Sequence, residues 1–310
     1  MNTITLQKQV ELQVTELKTE MGIYQTLAIN LVMFRELIKT DVLAQIKLPD
    51  ELDLSREVIL DGQAPTWLYA NLVERCWQAP WIGCHAAKEK LIVVIQTRIS
   101  TISIGDAIPV LLNRTPCPAI LIGGSPDSGK SVLSNALRFN LMKTGAVGRV
   151  FVHRASWDGE GNWAYEGANR DLVKKLIVEN EFRLHEHPET AKLIPNFFKY
   201  HSSAVQNLRE VVDLVLVDVG GKPQTEKAPL VEQCTHYIII SKESDAIPKW
   251  HELCHPNLQP LAVIRSVRQK REEVLQKQPF LEIIDGRWRE GEIQSVPDIL
   301  LENVLTVLHA

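Results

Sequence analysis

Apolar positions along this chain fall into short, strand-length runs, and the spacing between runs changes character near residue 115. Before that point the runs are crowded. Residues 4–20 are polar with an irregular period, which predicts a first strand or a short arm. Gln25-Thr-Leu-Ala-Ile-Asn-Leu-Val32 alternates as a strand does, and Arg35 to Ala44 has helical spacing ahead of Pro49 and an acidic loop. Glu57-Val-Ile-Leu60 predicts a short strand closed by Asp61-Gly62. Pro65 opens a helix expected from Thr66 to about Gln78, and Pro80 stops it. Trp81-Ile-Gly-Cys84 and Leu91-Ile-Val-Val-Ile95 predict strands about a Lys/Glu turn, and Gly105-Asp-Ala-Ile-Pro109 closes the unit. Residues 1–112 thus read as an α+β module.

Asn113-Arg-Thr-Pro-Cys-Pro118 reads as a linker, since prolines bracket its second half and a new strand pattern follows directly. From there, over 119–310, strand and helix alternate. Strands are expected at 118–123, 149–153, 213–218, 236–241 and 261–265, with helices near 129–143, 168–185, 203–211, 246–254 and 296–308. Helical crossovers between strands imply a mainly parallel sheet covered on both faces. Leu214-Val-Leu-Val217 and Tyr237-Ile-Ile-Ile240 are apolar without alternation, as central parallel strands are. No repeat or low-complexity tract interrupts the pattern.

Composition narrows the function without naming it. A chain of 310 residues with net charge −4 has length for about two domains. The charge is not concentrated: residues 1–112 carry 10 Lys/Arg and 13 Asp/Glu, the remainder 24 and 25. A broad nucleic-acid binder would show a basic stripe, so a small nucleotide met by a few placed groups fits better. The five cysteines are odd in number and scattered with no C-x-x-C, which fits reduced thiols in a cytoplasmic protein. The N-terminus has no signal-peptide order, and apolar runs stay far short of a membrane span, so no membrane partner is expected.

Against that background Gly124-Ser-Pro-Asp-Ser-Gly129-Lys130-Ser131 stands out. It fits the G-x-x-x-x-G-K-[ST] phosphate loop, between an expected strand and an expected helix. Such a loop turns backbone N–H groups toward phosphate at the positive end of a helix dipole. ATP-binding roles are therefore expected for Gly124, Asp127, Ser128 and Gly129, with Lys130 reaching the β/γ-phosphates and Ser131 holding Mg²⁺. Asp218 ends the apolar strand 213–218 and is expected in the Mg²⁺ shell, whereas Asp213 at its start is expected to face solvent. Gly220 and Gly221 would let backbone approach a γ-phosphate. The stretch His153-Arg154 to Glu166, aromatic and Gly-rich, leaves the carboxyl end of a strand, where open sheets place ligands. It reads either as an acceptor pocket or switch with Arg154 as phosphate partner, or as a surface loop with two packed Trp.

His251-Glu252-Leu-Cys-His255 matches H-E-x-x-H, but Pro248 and Pro256 confine it to about two turns and only His309 follows, so a zinc peptidase is rejected. His185 and His187 read as a solvated helix end. In the first module, Gly62-Gln63-Ala-Pro65-Thr-Trp67 is a tight turn into a helix N-terminus, suited to an anion, while its plainer reading is a Pro-started helix with Trp67 in the core. His85 and Lys88 fall at an expected strand end.

Residues 25 to 110 resemble the small ring-nuclease family of type III CRISPR systems. The resemblance rests on Leu60-Asp-Gly62-x-x-Pro65-x-Trp67-Leu68, the Pro80 strand start, Val93-Val-Ile-Gln96 and Gly105-Asp106. Some members look like this chain throughout, with a P-loop domain labelled AAA fused behind. The resemblance implies a ferredoxin-like small domain that assembles into a homo-oligomer, dimer or tetramer, and sandwiches cyclic tetra-adenylate. It also implies Mn²⁺-dependent cleavage of that messenger, which ends antiviral signalling, and activity on RNA 3′ ends. This chain departs at the chemistry: His85-Ala-Ala-Lys88 replaces an Asp-Pro-Arg-like stretch, Trp77-Gln78 and Arg98 stand where members have His, and the carboxylate metal ligand is missing there. The resemblance assigns His85 and Lys88 to catalysis, and Gly62, Gln63, Pro65, Trp67 and Arg98 to the cyclic nucleotide. His85 and Lys88 would orient a 2′-hydroxyl and neutralise phosphorane-like charge. A site that binds the ring without cleaving it is equally consistent with these departures.

Three readings follow. In the first the chain is an ATP-linked ring nuclease. In the second it is a sensor whose small domain controls a nucleotide switch. In the third it is a P-loop kinase for a nucleotide or small molecule. The AAA label sits poorly with the order of motifs, which looks closer to P-loop kinases or dimeric switch ATPases.

Overall fold

The computed structural model describes residues 10–31, 40–111, 115–156, 189, 192–286, 288 and 295–308. These fall into two units, 10–111 and 115–308. In the first, β1 (Val10–Thr19) and β2 (Gly22–Leu31) form an antiparallel hairpin with Val10 opposite Leu31. The Thr19 hydroxyl closes its turn, accepting from the Met21 N–H and donating to the Gly22 carbonyl, each at 3.1 Å. The described part of the expected 35–44 helix is one 3₁₀ turn, Thr40–Ala44. The fully buried β3 (Val58–Asp61) lies parallel to β2, and α1 (Thr66–Arg75) leads to β4 (Trp81–Ala86), parallel to β3. β5 (Leu91–Thr97) and β6 (Ala107–Pro109) follow antiparallel. Helix α1 ends earlier than the expected Gln78, because the Trp77 N–H bonds to the Glu74 carbonyl only three residues back and the chain leaves as a turn.

The six strands lie in chain order, β1 to β6, with β2, β3 and β4 mutually parallel. This corrects the ferredoxin-like expectation. A split βαβ unit needs another strand between its two parallel strands, whereas α1 carries β3 directly to its neighbour β4. The first and last strands also meet, through a Thr19–Val110 bridge and a 3.0 Å bond from the Leu111 N–H to the Lys18 carbonyl. The sheet therefore curls around one apolar cluster of Leu17, Ile59, Trp81, Ile92, Val94, Ile108 and Val110.

The second unit is α/β. Its strands are β7 (Ala119–Gly123), β8 (Val150–Ala155), β9 (Leu214–Val219), β10 (His236–Ser241), β11 (Gln259–Ser266), β12 (Arg271–Gln276) and β13 (Leu281–Gly286). They run in the order β12-β13-β11-β10-β7-β9-β8, parallel except for β12. One face is covered by α2 (Lys130–Thr144) and α6 (Asp298–Thr306), through Leu133, Leu137, Leu300 and Val304 against Ile120, Leu216, Ile238 and Ile264. The other side carries α3 (Ile194–Val211) and α5 (Ala246–Cys254), with α4 (Ala228–Val231) packed on α3. Helix α3 starts well before the expected 203, since Pro195 occupies its first turn, where a missing N–H does no harm. The β12–β13 hairpin was not expected from the pattern; its edge strand is exposed and headed by Arg271-Glu272-Glu273, charges that discourage further pairing. Asp213 is half-buried rather than solvated, because its Oδ2 accepts the Arg149 N–H at 2.7 Å.

Candidate functional site

Gly124 to Gly129 join β7 to α2. Gly124 has a φ of 143°, and a Cβ there would lie 1.7 Å from the Ile240 carbonyl oxygen on β10. Glycine is what lets the loop run this close. Asp127 (φ 54°) and Gly129 (φ 95°) continue the left-handed path, a geometry that turns successive N–H groups inward at a helix N-terminus. The loop is fastened from below: Ser125 Oγ lies 2.7 Å from Ser128 Oγ and 2.9 Å from Ser241 Oγ, and the Lys242 N–H donates to Ser128 Oγ at 3.0 Å. The Ser128 hydroxyl is thus engaged in holding the loop. The Asp127 carboxylate points outward, 3.6 Å from Lys242 Nζ. Lys130 Nζ donates to the Ser125 carbonyl at 2.8 Å, laying its ammonium across the loop.

Strands β7 and β9 are hydrogen-bonded neighbours with Ile122 opposite Asp218, which carries that carboxylate to the helix start. Ser131 Oγ donates to Asp218 Oδ2 at 2.6 Å. Asp218 also lies opposite Arg154 on β8, whose Nη2 is 3.4 Å from Ser131 Oγ and whose Nε is 3.8 Å from Asp218 Oδ2. Gly221 comes against the loop from the far side of Asp218, where a Cβ would meet Pro126 at 2.7 Å. Gly124, Asp127, Ser128, Gly129, Lys130, Ser131, Arg154, Asp218 and Gly221 therefore gather about the carboxyl ends of β7, β8 and β9. A hydroxyl and a carboxylate oxygen at contact distance are the hard oxygen donors Mg²⁺ takes, so the residues present fit that ion. Ser125 and Ser241 were missed by the sequence reading. The available signal was a hydroxyl directly after the apolar run Tyr237–Ile240. The stretch 157–166 expected to form the acceptor pocket, and the 168–185 helix, lie outside the described residues.

In the first unit, the β3–β4 register continues to place Asp61 beside His85. His85 Nδ1 and Asp61 Oδ1 are 2.9 Å apart and both side chains are buried. His85 Nε2 is also buried and has no hydrogen-bond partner among the described residues. Asp61, read from sequence only as a strand end, is thus the partner that reasoning missed. Gly62 follows with φ 146°, and a Cβ there would strike the Ile29 carbonyl at 2.5 Å. The Tyr69 hydroxyl donates to the Gly62 carbonyl at 2.7 Å, and burial, helped by the Asp61 charge, raises its pKa. Pro65 is buried and Trp67 half-buried, which is less than a core position for the indole. Lys88 sits in the turn after β4, and burial lowers its pKa.

Arg98 is not brought to that place. Thr97 pairs with Trp81 at the start of β4, whereas Leu91 pairs with Ala86 at its end. At about 3.3 Å per residue, the steps from Thr97 back to Leu91 put Arg98 roughly 20 Å along the sheet from the turn that carries Lys88. Its Nη1 donates to the Gln78 carbonyl at 3.1 Å, and its guanidinium lies 5.1 Å from the Trp77 ring centroid. Among the described residues there is no cluster of three or more His, Cys, Asp or Glu able to hold a metal. His251 belongs to packing: its Nδ1 lies 2.7 Å from the Tyr237 hydroxyl. All five cysteines are free, and among the described residues no helix is long and apolar enough to cross a membrane.

A family model described as CRISPR-associated protein (Cas_csx3) matches residues 32–109. The matched span takes in β3 to β6, and with them Asp61, Gly62, His85 and Lys88. No curated protein matches the chain. Among solved structures, the kinase domain of Escherichia coli tyrosine kinase ETK is similar at 14% identity and a TM-score of 0.30, covering 47% of this chain and 67% of that one.

Proposed function

We propose that the chain acts in type III CRISPR defence, binding cyclic tetra-adenylate with its first unit and Mg²⁺·ATP with its second. The Ser131–Asp218 contact of 2.6 Å, set at the mouth of the 124–129 loop, is the observation that carries the nucleotide half. Ser131 and Asp218 would hold Mg²⁺ there, and the ion would supply charge neutralisation for the phosphates. Lys130 leaves the Ser125 carbonyl for the phosphates, and the loop N–H groups hold the α/β-phosphates. The match of the first unit to a CRISPR-associated family supports the other half.

In the leading reading the protein is a ring nuclease for this messenger, with Lys88 neutralising the developing phosphorane charge. His85 then acts by holding the end of β4 that carries the Lys88 turn, since its ring is sealed. The same sealed ring favours a second reading, a sensor that binds the ring and controls the nucleotide unit without cleaving it. Incubating radiolabelled cyclic tetra-adenylate with excess protein, with and without Mn²⁺ and ATP, separates the two. Linear products are expected from the nuclease, and an intact ring leaves the sensor. Retained ATP affinity in Lys130→Ala would remove the nucleotide half, and an unchanged cleavage rate in that variant would show that the units act independently.

A further inference from the structure

The Ser131–Asp218 pair does not stand alone: a cation already lies against it. The Arg154 guanidinium is 3.4 Å from Ser131 Oγ through Nη2 and 3.8 Å from Asp218 Oδ2 through Nε, half-buried at the carboxyl end of β8. Both oxygens are those the metal would use, and Ser131 spends its proton on Asp218, so its hydroxyl is turned inward. A guanidinium cannot be deprotonated in a protein, and a divalent ion a few ångströms away repels it strongly in a site of reduced dielectric. The two cations therefore exclude each other. The triphosphate supplies what Arg154 loses, because a planar fork of donors suits phosphate oxygens as well as carboxylate.

We infer that Arg154 is a stand-in cation for the metal. It occupies the Ser131–Asp218 pair until nucleotide arrives, keeps free divalent ions off it, and transfers to phosphate when Mg²⁺·ATP binds. This rests on the nucleotide reading above and adds the coupling: metal and nucleotide enter together because each offers Arg154 a reason to move. It is a positioning residue, and its signature is metal affinity rather than turnover.

Mn²⁺ binding to the full chain, followed by loss of the free-ion electron paramagnetic signal, tests this. Asp218→Asn identifies the portion bound at this pair. Without nucleotide, Arg154→Gln should bind Mn²⁺ at the pair at least tenfold more tightly than the parent. A non-hydrolysable ATP analogue should raise the parent's Mn²⁺ affinity about a hundredfold, but that of Arg154→Gln less than tenfold. Arg154→Lys, which keeps the charge and loses the fork, should still exclude Mn²⁺, which covers the case in which Arg154→Gln folds poorly. Equal Mn²⁺ affinity in parent and Arg154→Gln, or Mn²⁺ bound tightly by Arg154→Lys, overturns the inference while leaving the nucleotide reading intact. A parent protein that binds no nucleotide at all ends both.

Discussion

The Asp61–His85 pair allows a sharp test, because the same geometry supports a scaffold role and a chemical one. Removing Asp61 as Asp61→Leu leaves a histidine with both ring nitrogens buried and no carboxylate 2.9 Å from Nδ1. Loss of a charge-assisted hydrogen bond and burial of an unsatisfied donor should cost about 3 kcal/mol, and His85→Leu about the same by taking that bond from a buried carboxylate. Replacing both with leucine removes the polar atoms together, so the double variant should lose less than about 1 kcal/mol. Hydrogen exchange of peptides covering Val58–Asp61 and Trp81–Ala86 reads this locally, which suits a chain of two units better than a global melt. About 3 kcal/mol is roughly 150-fold faster exchange, against less than about fivefold for the double variant. If the pair is a scaffold, the double variant also binds cyclic tetra-adenylate within about twofold of the parent. Additive losses, or single variants whose exchange speeds up by less than threefold, would refute the argument that these two side chains stabilise the sheet as a unit.

Other expectations follow from the same geometry. Gly124→Ala should abolish ATP binding and lower Tm by several degrees, since its Cβ would stand 1.7 Å from the Ile240 carbonyl and β10 must shift; calorimetry on both counts checks it. Asp285 on β13 is raised to about 7 by burial, with Glu272 across the strand pair adding to it. Its folded pKa exceeds the unfolded one, so its contribution is full below about pH 4 and is lost as pH rises toward 7. Asp285→Asn should accordingly raise Tm at pH 8 and leave it unchanged at pH 4, and the opposite order in thermal melts would contradict this. Lys88→Ala should weaken cyclic tetra-adenylate binding about tenfold while Arg98→Ala changes it less than twofold, as filter binding would show, because the two lie at opposite ends of β4.

The geometry of the 124–131 loop was legible because it is local: a glycine at φ 143°, a lysine and a serine follow one another between one strand and one helix. Asp218 was readable too, since an apolar strand ending in a carboxylate announces itself. Asp61 was not. Its meaning depends on β3 and β4 being direct parallel neighbours, and pairing partners so far apart in sequence are set by the sheet as a whole. The same dependence explains the ferredoxin-like expectation, where element order was read well and strand order was not. Arg98 was assigned by resemblance and displaced by register, as a period of two along β5 fixes faces but says nothing about which end meets which turn. β12 was missed because an exposed, charged edge strand has no buried face to detect, whereas β13 does alternate, with Leu281, Ile283 and Asp285 buried, and was overlooked.

The hydroxyl tether beneath the phosphate loop has a kinetic consequence. Ser125, Ser128 and Ser241 fix the loop to the end of β10 before any ligand arrives, so little chain entropy remains to be lost on association. If Arg154 yields to Mg²⁺·ATP as inferred above, the slow coordinate lies on the other wall. Capture should therefore proceed in two phases, a concentration-dependent encounter at the preformed loop and a first-order step whose rate is independent of nucleotide concentration. Stopped-flow traces would carry the rigidity of one wall in the first phase and the exchange of cations in the second.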